Sequence, residues 1–441
     1  MPMAGGAAPR EVLEDVQWAD WSPDGQELAI VREVEAKVRL EFPIGRVLYE
    51  TDGYVSEPRI SPDGKLVAFL DHPVRGDDGG SVAVVDRSGR KRTVSAAFAS
   101  SEGLIWRPDG REIWFTAAEV GVNHSLHAVG LSGNHRLLAS VTGSLIVRDV
   151  APDGRVLMSQ DNRRRGLLAL VPGEEKERDL SWLDYSIARD VSPDGKLILF
   201  HESGEGGGPG YSVYVRKTDG SPAVRLGEGN AYALSPDGKW ALAVLRSTTD
   251  PQIVIYPIGA GQPRTISRAG VSPQTAAWLA DGHRIILQAN EPGRRSRLYL
   301  QDLASGAIRA LSPEGYRAAG RLAVSPAEKS VPVVGPDRKP YLYPLQGGEP
   351  VALAGATFED RWIGWTPDGQ FLFLYRVGEI PAKVYRLEVA SGRREVWREL
   401  LPADSAGVDS VGPVLLVGDG RSYVYGYSRT LSDLFVVDGL K

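Results

Sequence analysis

The sequence has 441 residues, of which 42% are hydrophobic and 24% are charged, and its formal net charge is −5. This balance is typical of a globular chain with a sizeable core, and it excludes an overall basic field that would attract nucleic acid or anionic lipid. The absence of cysteine excludes disulfides, thiolate metal sites and a cysteine nucleophile. No run of about 18 apolar residues occurs, so we predict no membrane insertion in this chain.

A short turn motif recurs from the beginning of the chain to its end. It reads WSPDG at 21–25 and SPDG at 61–64, and it continues in related forms with intervals from 39 residues (Asp24 to Asp63) to 51 residues. This is about the period of a four-stranded propeller blade. The equivalent positions are Asp24, Asp63, Asp109, Asp153, Asp194, Asp237, Asp281, Ala327, Asp368 and Asp419.

The motif and its flanking segments predict antiparallel hairpins. Proline presets φ for a tight turn, aspartate caps its own backbone, and glycine accepts the positive φ that closes the turn. Strand-like segments such as KLVAFL at 65–70 and SVAVVD at 81–86 follow each turn. We therefore predict an all-β protein, a β-propeller of about ten four-stranded antiparallel blades.

The ends of the chain suggest how the propeller closes. The last unit, 408–441, has only three strand-like segments, and residues 1–16 contain REVLEDV, which resembles a fourth strand without its blade. We expect Arg10–Val16 to pair with Asp433–Val437, which would remove exposed sheet edges. The prediction is one ring over 1–441, with nine blades in 17–407; two smaller rings are the alternative.

The repeat resembles that of TolB-type propellers, and the same repeats form the propeller of prolyl-oligopeptidase-family peptidases. Longer segments resemble the C-terminal propeller region of bacterial transmembrane serine/threonine protein kinases, especially those of acidobacteria. These segments are APREVLEDVQWADWSPDG at 8–25, GYSVYVRKTDGSPAVRLGEG at 210–229 and SRTLSDLFVVDGLK at 428–441.

The kinase resemblance implies a sensor or docking region, with a kinase domain upstream in the natural protein. It implies a periplasmic or extracytoplasmic location if the chain is such a region, and a cytoplasmic location otherwise. The sequence itself contains no kinase catalytic motifs and no GxSxG nucleophile motif. The sequence therefore favours a non-catalytic role.

Polar clusters after the predicted second strands are candidate metal ligands. Two histidines, His72 and His201, occupy the same blade position, and each has a carboxylate beside it. Imidazole nitrogen and carboxylate oxygen suit zinc or manganese, and carboxylates also suit calcium. We expect these residues to lie in loops on the face opposite the Pro-Asp-Gly turns. The full candidate set is Asp71, His72, Asp77, Asp161, His201 and Glu202.

Charged residues on the predicted inner strands form a second candidate set. VRDVAPDG at 147–154 and ARDVSPDG at 188–195 repeat an Arg-Asp pair, which would line neighbouring parts of the channel. Structural pairing is the simpler interpretation, and recognition of a carboxylate or phosphate by the arginines is the alternative. The candidate ligand-binding residues are Arg148, Asp149, Arg189 and Asp190, together with Glu57 and Arg59 in the second repeat.

These observations leave two hypotheses about function. The first is a non-catalytic sensor or docking propeller that binds a small ligand or a protein partner at the mouth of the channel. The second is a metal-dependent hydrolase of the lactonase, esterase or phosphotriesterase type that uses the propeller channel, because a bound metal can activate water without a sequence motif. The sequence identifies neither the ligand nor a catalytic residue.

Overall fold

The computed structural model describes residues 13–34, 37–208, 211–245, 251–266, 270–418 and 420–440. These residues form 36 β-strands and only two helices, the three-residue 3₁₀ turns Glu205–Gly207 and Pro326–Glu328. Neither described helix is long and apolar enough to cross a membrane. Most of the sheets have four antiparallel strands, so the predicted all-β blade architecture is confirmed.

The chain divides into two compact units. The first unit contains the described residues of 1–161 and 432–441, and the second contains those of 162–431. The chain passes from one unit to the other within two long strands, β14 (Val156–Leu170) and β36 (Tyr423–Val437). Each of these strands therefore supplies residues to both units.

The first unit contains three complete sheets, β1–β4, β5–β8 and β9–β12, and a fourth that β13 begins with β14. Its strands are β1 Val16–Trp21, β2 Leu28–Val34, β3 Lys37–Glu41, β4 Val47–Thr51, β5 Tyr54–Ile60, β6 Leu66–His72, β7 Ser81–Asp86, β8 Lys91–Thr93, β9 Ser100–Trp106, β10 Glu112–Ala118, β11 Ser125–Gly130, β12 His135–Ala139 and β13 Ser144–Val150.

Three apolar clusters join the successive sheets of the first unit. They lie between the first and second sheets, the second and third, and the third and fourth. A closed ring of four sheets would need a fourth cluster, and the described residues contain none that joins β13 to β1. The face of the first sheet that such a cluster would cover is exposed to solvent, since Trp21 of β1 is 61% exposed.

The second unit contains six sheets, one of which has only three regular strands. Its strands are β15 Arg178–Asp179, β16 Ser186–Val191, β17 Leu197–Glu202, β18 Ser212–Lys217, β19 Val224–Glu228, β20 Asn230–Leu234, β21 Trp240–Leu245, β22 Gln252–Pro257, β23 Arg264–Ile266, β24 Ser272–Trp278, β25 Arg284–Asn290, β26 Arg297–Asp302, β27 Ile308–Ala310, β28 Ser330–Val334, β29 Pro340–Pro344, β30 Val351–Ala352, β31 Asp360–Trp365, β32 Phe371–Arg376, β33 Ala382–Glu388, β34 Arg394–Leu400 and β35 Val408–Leu416.

Six apolar clusters close the second unit into a ring. Each cluster joins one sheet to the next, from the sheet of β16–β19 around to the sheet of β31–β34. The last two clusters join the sheet of β35, β36 and β14 to its neighbours on both sides. In the three-stranded sheet of β28–β30, an irregular segment replaces the inner strand and bridges Arg317 to Val334 and Gly320 to Trp362. The second unit is therefore a closed six-bladed propeller.

The closure differs from the sequence prediction. Val16 pairs with Arg32 of β2, and β36 lies between β14 and β35 in its sheet; residues 10–12 of the predicted closing strand lie outside the described residues. The described residues form two compact units. The reason lies in β14, whose polar run around Asp161 was predicted to be a loop but continues as strand. Its second half and β15 complete the sheet that β35 and β36 begin.

The turns at the ends of the inner strands show why the motif contains these residues. In the first turn, the N–H of Gly25 donates to the carbonyl of Ser22 (2.8 Å), and Gly25 has a φ of 68°. The Ser22 hydroxyl donates to Asp24 Oδ1 (2.6 Å) and accepts the N–H of Glu27 (2.9 Å). The hydroxyl thereby links the turn to the following strand. Asp419, in the last degenerate copy, lies outside the described residues.

Candidate functional site

A cavity of about 450 Å³ lies in the second unit at the end of the channel that carries the Pro-Asp-Gly-type turns. Turn residues from all six blades form its rim, and several rim prolines are exposed, so solvent reaches it. Residues of the inner strands form its wall. The rim includes Pro193, Pro236, Ala280, Pro326, Pro367 and Gly418.

Asp190 connects the first blade of this ring to the second. Asp190 is 4% exposed, and its Oδ1 and Oδ2 accept the backbone N–H groups of Val191 and Leu234, each at 2.8 Å. Leu234 belongs to the next blade, so the carboxylate satisfies a buried backbone donor on each side of the blade interface. Asp190 is therefore a structural residue as well as part of the cavity wall.

Arg321 projects from the irregular inner segment of another blade and reaches the same carboxylate. Its Nη2 donates to Asp190 Oδ1 at 2.6 Å, and the Arg321 side chain is 33% exposed. Within the described part of the chain, its Nε and Nη1 make no hydrogen bond. The ion pair fixes the guanidinium while two of its nitrogens stay available to a bound molecule.

The rest of the cavity wall is mostly apolar. The indole of Trp365 is held there because its Nε1 donates to the carbonyl of Ala323 in the preceding blade at 2.8 Å. At Gly364, an added Cβ would meet no atom within 4 Å, which shows that the wall faces open space at this point. The apolar lining includes Leu234, Trp278, Leu322, Ile363, Trp365 and Phe373.

The two predicted Arg-Asp pairs belong to different compact units. Arg148 and Asp149 belong to the first unit, and Arg189 and Asp190 belong to the second. Arg148 Nη2 lies 3.2 Å from Asp161 Oδ2, whereas the exposed Asp149, among the described residues, accepts only the N–H of Val150, at 2.8 Å. That the pairs line neighbouring parts of one channel stays a prediction.

Arg189 lies on β16 beside Asp190 but makes different contacts. Its Nε lies 3.5 Å from His201 Nδ1, and its guanidinium lies 5.7 Å from the ring centre of Tyr232. Arg189 is not part of the cavity lining. Of the predicted inner-strand residues, only Asp190 contributes to this cavity.

The first unit contains a related arrangement of carboxylates. Asp20 Oδ2 accepts the N–H of Ile60 in the next blade at 2.7 Å, as Asp190 does in the second unit. Glu57 is 7% exposed, and Arg59 Nη2 lies 3.4 Å from it. Burial raises the pKa of both Asp20 and Glu57 against the opposing charge of Arg59. This arrangement supports the structural interpretation of these charges.

The metal-ligand candidates of the first unit have protein partners. His72 ends β6 and is 1% exposed; its Nε2 lies 2.8 Å from Ser56 Oγ, and burial lowers its pKa. Asp71 pairs with Lys91, and Asp77 accepts the N–H of Gly79 at 3.0 Å. His72 was predicted to lie in a loop, but the strand extends through it because its ring packs in the interior.

The candidates of the second unit are also buried on a strand. His201 and Glu202 end β17 and are 1% and 0% exposed. Glu202 accepts hydrogen bonds from the Ser186 hydroxyl and from the N–H of Tyr185, and burial raises its pKa. Across the described residues, no three His, Asp or Glu side chains come together in a metal-binding arrangement.

The sequence prediction missed Arg321 and the turn end of the channel. It expected ligands at the opposite end, where loops are longer. Arg321 occurs in RLAVSP at 321–326, before the degenerate turn, and Arg189 occurs in a related position before Ser192. Alignment of these two repeats could have identified a second inner-strand arginine, but the contact with Asp190 requires the ring.

Comparisons with known proteins found similar solved structures but no matching family. No protein-family model matches the chain, and no curated protein matches it. TolB from Acinetobacter baumannii is 14% identical over 91% of this chain and 81% of that chain, with a TM-score of 0.31. The propeller domain of the Trilobed protease from Pyrococcus furiosus is 15% identical over 65% of this chain and 93% of that chain, with a TM-score of 0.26.

A putative TolB from Agrobacterium tumefaciens is also similar, with 17% identity over 60% of this chain and 83% of that chain and a TM-score of 0.26. At these identities the similarity concerns the fold alone and transfers no activity. The sheet order and the six clusters between the sheets lead to one conclusion: the second unit of the chain is a six-bladed β-propeller.

Proposed function

We propose that this protein is a non-catalytic binding propeller whose second unit takes a small ligand, or a short segment of a protein partner, into its channel cavity. The observation that carries the proposal is the cavity of about 450 Å³ with one fixed ion pair in a mostly apolar wall. Small-molecule sites have this size and this combination of apolar walls with a few placed polar groups.

The polar groups of the rim support binding in preference to catalysis. The hydroxyls of Ser235 and Thr366 donate to Asp237 and Asp368 within their own turns. A hydroxyl nucleophile needs a general base as its hydrogen-bond partner, and these aspartates instead bind the backbone of the following strand. These hydrogen bonds therefore stabilise the turns that form the rim of the cavity.

The resemblance to the propeller regions of bacterial kinases supports a sensor or docking role for such a site. A ligand that fills the channel contacts several blades at once and stabilises the ring by its binding free energy. Metal-dependent hydrolysis, the second hypothesis, receives no specific support, because the described residues provide no cluster of metal-ligating side chains.

A cavity-blocking variant tests the proposal. Gly364→Phe places a ring in the open space that Gly364 faces, whereas Gly130→Phe in the first unit places one where the nearest atom to an added Cβ is 3.8 Å away. We expect compounds from a library of small acids, amines and neutral molecules to raise the thermal midpoint of the parent and of Gly130→Phe, but not of Gly364→Phe. If no compound in the library raises the thermal midpoint of the parent, or if compounds raise the midpoints of all three proteins equally, the proposal is overturned.

A further inference from the structure

The cavity also indicates the chemical class of its ligand. We propose that it binds an apolar carboxylate, with Arg321 donating hydrogen bonds to the carboxylate group and the apolar part of the ligand lying against the wall. This inference rests on the proposed function, because it concerns the same cavity. It follows from which polar groups of the wall are available and which are already engaged.

The available charged donor is the guanidinium of Arg321. Asp190 uses only its Nη2, and within the described residues Nε and Nη1 make no hydrogen bond. Nε and Nη1 lie on different edges of the guanidinium, so a carboxylate can accept a charge-assisted hydrogen bond from either of them while Nη2 stays bound to Asp190. Because the ion pair already fixes its orientation, little further side-chain entropy is lost when a ligand binds.

The acidic groups of the wall are already engaged. Asp190 is 4% exposed and accepts hydrogen bonds from two backbone N–H groups and from Arg321. Glu328, at the rim, accepts the N–H of Ala280 at 2.7 Å and a bond from Arg284 at 3.0 Å. The charges of both carboxylates are thus already offset by protein donors, whereas the charge of Arg321 can still be used by a ligand carboxylate.

The remaining wall fits a hydrocarbon group. Trp278, Ile363 and Phe373 line it, and Trp365 is held in position by its bond to Ala323. An aromatic or branched hydrocarbon on the ligand gains free energy by leaving water against these side chains. The same chemistry occurs in a free aromatic or aliphatic acid and in the C-terminal residue of a peptide that ends in an apolar side chain.

Four probes test whether the carboxylate is needed for binding and whether it comes from a free acid or from the C-terminus of a peptide. 4-Phenylbutanoate and 4-phenylbutanamide differ only in the charged group, as do the acid and amide forms of the peptide acetyl-Gly-Ser-Gly-Leu-Phe. We expect at least one acid to bind the parent about tenfold or more tightly than its amide in calorimetric titration, because a charge-assisted bond to arginine is lost in the amide. The acid that binds identifies the source.

Variants assign that preference to Arg321. The double variant Asp190→Asn, Arg321→Gln removes both charges but also loses one of the two bonds that Asp190 accepts from backbone N–H groups, so its folding is checked by its thermal midpoint. Arg321→Lys keeps the charge without the planar fork. We expect the acid-over-amide preference to disappear in the double variant and to fall part of the way in Arg321→Lys. Gly364→Phe should abolish binding of acid and amide alike.

The outcomes distinguish the two proposals. If an amide or an amine binds as tightly as the acid and Gly364→Phe abolishes that binding, the carboxylate inference is wrong and the binding function stands. If the acid preference persists in the double variant, Arg321 is not its source and the inference is also wrong. If none of the four probes binds while other compounds bind in the cavity, the carboxylate class is refuted. If no compound binds in a way that Gly364→Phe abolishes, the proposed function itself fails.

Discussion

Replacement of Asp190 by alanine should destabilise the second unit, and the contacts of the carboxylate set the size of the effect. The change leaves the N–H groups of Val191 and Leu234 without their acceptor. A buried donor without a partner costs about 1–3 kcal/mol, and the lower end applies here because the adjacent cavity admits water. Loss of the pair with the one-third-exposed Arg321 adds about 0.5 kcal/mol.

These contributions give a destabilisation of about 2–3 kcal/mol. For a unit of this size about 1 kcal/mol corresponds to roughly 2–4 °C, so the thermal midpoint of the second unit should fall by about 4–12 °C. Differential scanning calorimetry measures this directly, and midpoints are compared because a chain with two units need not unfold in one step.

Asp149 provides the matched control for this experiment. It occupies the equivalent position of its repeat but is exposed, and within the described ranges it accepts only the N–H of Val150. Asp149→Ala should therefore change stability by less than about 0.5 kcal/mol. Equal shifts for the two variants, or an unchanged midpoint for Asp190→Ala, would refute the argument that the bond between blades stabilises the ring.

Three further predictions follow from buried groups. Trp106→Phe should cost about 1–3 kcal/mol in thermal unfolding, because the indole is buried and its Nε1 donates to a carbonyl of the preceding blade, whereas the same change at the exposed Trp21 should cost less than about 0.5 kcal/mol. Burial raises the pKa of Glu202, so the protonated side chain stabilises the fold fully below the ordinary pKa of 4.5, and this stabilisation is lost as the pH rises through the pKa of the folded protein. The thermal midpoint of Glu202→Gln should therefore fall less than that of the parent between about pH 5 and pH 7. Replacing His72 and His201 together with alanine should lower the midpoint, because both rings are buried, and should leave the metal content measured by mass spectrometry equal to that of the parent; loss of a stoichiometric metal would restore the metal hypothesis.

The blade could be predicted from the repeat, because the residues that specify each hairpin are close together in the sequence. The alternation of SVAVVD at 81–86 and the turn residues before it specify a hairpin without reference to the rest of the chain, and the strand Ser81–Asp86 has the predicted bounds. The partner of the last strand was not predictable in this way. It depends on β14, which pairs with β13 up to Asp161 and, through its second half, joins the sheet of β15, β36 and β35.

The candidate site was partly predictable for the same reason. Asp190 stands out because two successive repeats carry an Arg-Asp pair, and the structural role that the sequence favoured agrees with its bonds to Leu234 and Arg321. Arg321 is 131 residues further along the chain and lies in a degenerate repeat. Only closure of the ring brings the two together, so no local pattern could identify the pair.

A crystal structure of the protein grown with 4-phenylbutanoate tests the central claim, that the second unit binds an apolar carboxylate in its channel. The account predicts density for the ligand between Arg321 and Trp365, with a carboxylate oxygen about 2.7–2.9 Å from Arg321 Nε or Nη1 and the phenyl ring against the apolar wall. Density for the ligand only outside this cavity, or inside it with the carboxylate directed away from Arg321, would contradict the account.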